Sequence, residues 1–192
     1  TPELRAREAA AAGKALGLHH REALELPDSR LELKLEYKLA VAARIRALRP
    51  RTVILPYWEA RHPDHYTACQ IGYEACFLAG LAKVDLSGRP HRPRKIVHAT
   101  LFDSGLNAAP SFIVDITPYF KQRMRAVACF RSQLKGPKRQ RGVYIPLTGL
   151  EKEMATRCAY FGQLIGVEYG EPFVVRDPLP VDDIVKLGGR PF

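Results

Sequence analysis

Short paired cysteine spacings are missing from this sequence: Cys69, Cys76, Cys129 and Cys158 form no C-x-x-C and no closely spaced pair. That removes the sequence grounds for a cysteine zinc cage or a disulfide framework. No apolar run approaches the ~20 residues needed to span a bilayer, and no basic, apolar, small-residue leader pattern opens the chain. The expectation is a cytoplasmic protein with no membrane partner. Internal repeats and a second apolar core pattern are also lacking, so residues 1–192, 46% apolar, read as one domain.

Acidic charge is in short supply, and the formal net charge is +10. Much of the excess is local, in Lys135, Lys138, Arg139 and Arg141 and in Arg89, His91, Arg92, Arg94 and Lys95. Neither stretch interleaves aromatics as a single-strand binding platform does. A nucleic-acid partner is therefore not expected, whereas attraction of a small anion is.

What is present is concentrated in Thr52-Val53-Ile54-Leu55-Pro56-Tyr57-Trp58-Glu59-Ala60-Arg61-His62-Pro63-Asp64-His65. Val53 to Leu55, bounded by Pro50 and Pro56, reads as a buried strand of a parallel sheet. A polar loop follows, and residues 66–81 carry a helical pattern. Open α/β sheets place ligands at such carboxyl ends of strands. Pro63 pushes His62 towards extended backbone, so the two histidines need not sit as a helical pair and their side chains are free to diverge. One imidazole then suits a metal and the other a proton donor or oxyanion partner. Asp64 suits holding an imidazole in one tautomer. The plainer alternative makes Asp64 a helix cap and both histidines surface residues. Two histidines alone do not make a catalytic zinc site, which takes about three protein ligands.

Elsewhere, Thr1-Pro2-Glu3 starts a helix that stops at Gly17. Residues 20–26 are expected as a short strand, 33–48 as a helix, and together with the strand at 53–55 as a β-α-β unit. Strands are expected at 95–102 and 111–116, and helices from Thr117-Pro118 and over 150–165. Cys69 and Cys76 fall seven apart on one helix face and suit core packing. His98, alone on a strand, is expected to be packed or at a pocket edge. The fold class is α/β, a Rossmann-like, mostly parallel sheet with helices on both faces.

Four segments together resemble one family: Thr1-Pro2-Glu3-Leu4-Arg5 with Glu8; Tyr57 through His65; Val114-Asp115-Ile116 with Ser132-Gln133; and Phe161-Gly162 through Tyr169-Gly170-Glu171-Pro172-Phe173. They are similar to the PIG-L/LmbE-like zinc-dependent N-deacetylases, most of all to the bacillithiol-biosynthesis branch, whose substrate is N-acetylglucosaminyl malate. The resemblance implies an amide hydrolase with His65 as a zinc ligand, His62 stabilising the oxyanion or protonating the leaving amine, and Asp64 orienting a histidine. It implies Arg5, Arg61 and Tyr169 as substrate contacts, an anionic sugar conjugate as substrate, and a homo-oligomer, a trimer or hexamer. The family's Ala-His-Pro-Asp-Asp-like motif has no counterpart here. The remaining ligands are expected ahead of Thr1, on the order of 50 residues of strand and helix. Iron, cobalt or nickel would suit a His/Asp site as zinc does. Another N-acetylglucosamine conjugate or small amide, or a metal-free chain that does not catalyse, are the alternative readings.

Overall fold

The computed structural model describes residues 1–60, 62–101, 108–134, 147–186 and 188, with the backbone alone at 147 and 148. Arg61, the basic run from Lys135 to Arg141 and the predicted strand end at Phe102 lie outside the described residues. The elements run in the order α1 (Pro2–Leu16), α2 (Leu35–Leu48), β1 (Thr52–Pro56), α3 (Pro63–Ala79), β2 (Lys95–Ala99), β3 (Phe112–Asp115), α4 (Phe120–Val127), α5 (Arg131–Leu134), α6 (Leu147–Ile165) and β4 (Gly170–Val174). The four strands form one sheet in the order β1-β2-β4-β3. β1 and β2 are parallel, pairing Thr52 with Lys95 through to Pro56 with Ala99. β4 joins β2 antiparallel, His98 opposite Val174 and Ala99 opposite Phe173.

The α/β class stands, and helices flank the sheet. Its parallel part is narrower than expected: β1, α3 and β2 make the crossover, and the sheet is mixed. Residues 20–26 form no strand. Leu24 and Leu26 are half-buried, but Glu25 between them has a φ of 53°, which breaks the extended backbone that a ladder needs. The helix predicted at 66–81 begins earlier, at Pro63, because proline is favoured in the first helical turn, where its missing N–H costs nothing.

The chain divides into two compact units. The first comprises Thr1–Glu22 and Ile113–Glu171, the second Ala23–Phe112 and Pro172–Gly188. In the second, α2 packs on α3 through Ala42, Ile45, Ala75, Cys76 and Ala79, with Val53 and Ile96 of the sheet against them. Small residues on both helices let the backbones approach. Gly72 does the same for α3 over β1: a Cβ there would sit 2.5 Å from Leu55 Cδ2. Cys76 is core, as its spacing predicts, and burial pushes its thiol up to about 11. β1 is an edge strand in this order, and its Ile54 is 60% exposed, unlike a parallel strand covered on both faces.

Arg46, which the helical pattern places among solvated cations, is only 4% exposed. Its Nε–H donates to Ala79 O at 3.1 Å, Nη1 to Leu86 O at 2.5 Å and Gly88 O at 3.4 Å, and Nη2 to Leu81 O at 2.7 Å. One guanidinium thus gathers the carbonyls at the end of α3 and of the loop behind it. In the first unit a carboxylate plays the matching part. Glu8 of α1 accepts from Ser132 N–H at 2.6 Å and Ser132 Oγ–H at 2.7 Å, and those bonds hold its carboxyl below the usual range. α1 itself begins with Thr1 Oγ1 accepting from the Leu4 N–H and ends on Gly17 at a φ of 70°, the left-handed cap that glycine favours.

Replacing Arg46 by alanine removes the side-chain donor shared by the Leu86 and Gly88 carbonyls and by those of Ala79 and Leu81, which keep only the His91 and Val84 N–H groups. The expected loss is on the order of 3 kcal/mol. Urea unfolding checks it: the midpoint falls while the m-value holds, and Arg46→Lys recovers only part, lacking the planar fork.

Candidate active site

β1 ends at Pro56, and the chain turns through Tyr57, Trp58, Glu59 and Ala60 towards α3. Tyr57 and Ala60 are buried, at 6% and 8% exposure, and anchor the turn from below. His62 is the N-cap of α3, with the extended backbone (φ −85°, ψ 127°) that both a cap and a residue before proline require. Its Nδ1 accepts the Asp64 N–H at 3.1 Å, so the neutral ring carries its proton on Nε2. His65 sits one turn on, its N–H donating to His62 O at 3.0 Å. The two rings lie side by side, centroids 5.1 Å apart and planes 30° apart. Of the two arrangements the sequence leaves open, the structure has the histidines together: Pro63 starts the helix, and a cap and its third helical residue face the same way.

The Asp64 carboxylate is taken by another partner. It accepts Ser29 N–H at 2.6 Å and Leu31 N–H at 3.3 Å, tying the helix start to the segment at 29–31, where Ser29 has a φ of 61°. The group of Asp64 that reaches His62 is its backbone N–H. The expected carboxylate contact to an imidazole is therefore not made; the tautomer of His62 is fixed by the main chain of residue 64, while the Asp64 carboxylate caps residues 29–31.

Beneath the loop lies His98 of β2, fully buried. Its Nδ1–H donates to Pro56 O at 3.0 Å, with Cys69 Sγ at 3.5 Å. Trp58 meets its ring edge-on, centroids 4.7 Å apart. Nε2 is left as a buried acceptor with no hydrogen-bond partner among the described residues. Burial pushes the imidazole below its ordinary value; the Pro56 carbonyl opposes this and Arg176 adds to it. His98 is the packed residue that its lone position on a strand suggests, and it fixes the end of β1 from which the loop departs.

The other predicted contacts belong to the first unit or lie outside the described residues, as Arg61 does. Arg5 is exposed on α1, one turn before Glu8. Tyr169 is half-buried, its ring stacked on Phe120 at 3.9 Å and its N–H donating to Thr117 Oγ1 at 3.0 Å. Burial raises its phenol above the usual value, with Glu168 adding to the effect. Sequence reasoning passed over Arg176, which belongs to no motif, and the partners it finds in Trp58 and Tyr73.

Among the described residues no three His, Cys, Asp or Glu side chains are grouped to hold a metal ion. With Asp64 committed to residues 29 and 31, they do not by themselves build a three-ligand zinc centre. His65, exposed beside His62, is the imidazole that suits one ligand.

Fold and loop define an α/β protein whose candidate site opens at the carboxyl end of a strand. The family model for PIG-L, described as GlcNAc-PI de-N-acetylase, matches residues 1–76. The conserved protein TT1542 of Thermus thermophilus is 36% identical in a solved structure, with a TM-score of 0.82 over 94% of this chain and 76% of that one. The diacetylchitobiose deacetylase of Thermococcus kodakarensis is 28% identical over 166 residues, 81% of this chain and 56% of that protein. The chain thus spans little more than half the length of that curated relative. The 4-carboxy-2-hydroxymuconate hydratase GalB of Pseudomonas putida shares the fold alone, at 16% identity and a TM-score of 0.77 over 95% of this chain and 75% of that one. The chain belongs to the PIG-L (LmbE-like) family.

The buried imidazole makes stability depend on pH. His98 is held neutral in the fold, whereas the unfolded chain protonates at its ordinary value near 6.5. Its contribution is complete above that pH and is lost as the pH falls below it, because protonation draws the chain towards the unfolded state. Urea midpoints measured from pH 8 to pH 5 are expected to fall more steeply in the native sequence than in His98→Asn.

Proposed function

We propose that this chain carries part of the active site of a metal-dependent N-deacetylase acting on an N-acetylglucosamine conjugate, and that the conjugate is N-acetylglucosaminyl malate of bacillithiol biosynthesis. The observation that carries the reading is the Asp64 N–H to His62 Nδ1 hydrogen bond, which holds the His62 proton on Nε2 at an exposed strand-end loop. A fixed N–H donor of that kind suits the oxygen of an amide carbonyl as it becomes an oxyanion. The family description and the name of the Thermococcus kodakarensis relative support a de-N-acetylation chemistry.

In this reading His62 Nε2–H binds and polarises the acetyl oxygen and stays on the ring, since it is the only proton the neutral imidazole carries. Asp64 holds the ring at its angle and keeps residues 29–31 against the helix start. Arg5, Arg61 and Tyr169 are proposed as substrate contacts, since a guanidinium takes a malate carboxylate through two parallel bonds. His65 is proposed as one metal ligand, zinc being the metal, with the rest of the set coming from beyond the described residues. The lack of a three-ligand group among the described residues favours a second reading, a chain that folds without metal and does not catalyse.

The experiment is acetate release by the purified protein from N-acetylglucosaminyl malate and from N,N′-diacetylchitobiose, with metal content measured on the same samples. Turnover of the malate conjugate is expected, with His62→Gln lowering kcat by on the order of 100-fold at nearly unchanged KM. His65→Ala is expected to lose the metal. Bound metal with His62→Gln turning over like the native protein would overturn the role of His62. Absence of both metal and turnover would select the second reading, and turnover of the chitobiose alone would move the substrate.

A further inference from the structure

Trp58, the single tryptophan of the chain, stands four residues before His62 and walls a cleft of about 460 Å3. Tyr66, Gln70 and Tyr73 of α3 form the opposite side, and Arg176, just past β4, closes it. Arg176 lies with its guanidinium carbon 4.9 Å from the Trp58 ring centroid and 4.4 Å from that of Tyr73. Two aromatic faces hold the planar group, and a guanidinium stacked in this way keeps its N–H fork for a ligand in its own plane.

That fork has no carboxylate partner among the described residues. Its polar neighbour is the Cys69 thiol, a weak acceptor whose proton burial holds in place. The acid of the cleft, Glu74, is already occupied: Lys38 Nζ lies 2.7 Å from one carboxylate oxygen and Gln70 Nε2 donates to the other at 3.1 Å. Asp177, next to Arg176 in sequence, lines a neighbouring cavity instead. Among the described residues the cleft therefore holds a guanidinium with no carboxylate partner, beside the rings of Trp58, Tyr66 and Tyr73. Its complement is an anion of planar, two-oxygen shape on a compact hydrocarbon or sugar-like body.

We propose that the cleft between Trp58, Tyr73 and Arg176 is a binding site for a carboxylate on a small ring-bearing ligand. Arg176 takes the carboxylate through its fork, and Trp58 and Tyr66 take the ring. The inference concerns binding and does not rest on deacetylation. If the carboxylate belongs to the substrate, the cleft anchors its non-reacting end; if it belongs to a free metabolite, the cleft is an effector site.

Trp58 emission reads the site directly, since no other tryptophan contributes. At pH 8 the probes are cyclohexanecarboxylate, the neutral cyclohexanecarboxamide, and inorganic phosphate. A saturable change with the carboxylate is expected, weakened at least about tenfold in the carboxamide and in Arg176→Gln. Arg176→Lys should fall between, keeping the charge and losing the fork. Because Arg176 is exposed, these variants are expected to keep the native urea midpoint, which is measured alongside. Equal binding of carboxamide and carboxylate, unchanged affinity in Arg176→Gln, phosphate binding as tightly as the carboxylate, or no saturable change would each overturn the proposal. Competition by N-acetylglucosaminyl malate, against none by malate alone, assigns the carboxylate to the conjugate; the reverse assigns it to a free acid, and the site stands in both cases.

Discussion

The hydrogen bond from Asp64 N–H to His62 Nδ1 sets both where α3 begins and what its first side chains can do. A helix start leaves N–H groups without partners, and most proteins satisfy them with a serine, threonine or carboxylate oxygen. Here an imidazole nitrogen does it. The same bond that ends the helix neatly consumes the ring's lone pair on Nδ1 and commits the proton to Nε2, so capping and tautomer are one event. Pro63 enforces the geometry from the other side, by holding His62 extended and starting the helix at once. With the Asp64 carboxylate fastened to residues 29 and 31, the helix start is held from two directions.

Below this junction the second unit relies on polar groups placed where apolar ones would be cheaper. Arg46 and His98 are both buried, and each is bonded to backbone carbonyls rather than to a side-chain acid. A lone buried cation is costly unless its donors are met, and Arg46 meets them where the end of α3 and the loop behind it present several carbonyls together. His98 is satisfied on one nitrogen only. Its neutral form is the one the site can bear, which keeps the floor beneath Trp58 uncharged while Arg176 sits above the tryptophan ring. The loop thus rests on an uncharged base.

What could be read in the sequence follows from how local each cause is. The strand at Val53 to Leu55 and the α3 pattern show through because apolar period and flanking prolines act within a few residues. The predicted strand at 20–26 fails for a non-local reason: alternation at Leu24 and Leu26 supplies a face but no partner for the backbone, and Glu25 leaves the extended region. Arg46 is invisible because a helical wheel counts cations as solvent-facing, and its acceptors lie 33 to 42 positions away. The arrangement of the histidine pair stays open when only the pre-proline rule is applied to His62; the first-turn rule for Pro63 is what closes it. Arg176 carries no signal at all, since its partners meet only when β4 lies against β2.

The sheet by itself decides little about chemistry, since the hydratase GalB shares it at a TM-score of 0.77. What separates a de-N-acetylation reading from the fold is held in a few side chains of one junction. Of these the described residues supply the proposed donor, His62, and one proposed ligand, His65, but no grouped three-ligand set. A donor fixed by its own helix cap works without the metal being present, because the bond that orients it is internal to the chain. A metal ligand does not, because one imidazole binds a divalent ion weakly until others join it. In the proposed reading the two histidines, side by side and both exposed, therefore differ in kind: His62 is oriented by the fold alone, whereas His65 would act as a ligand only with further ligands around it.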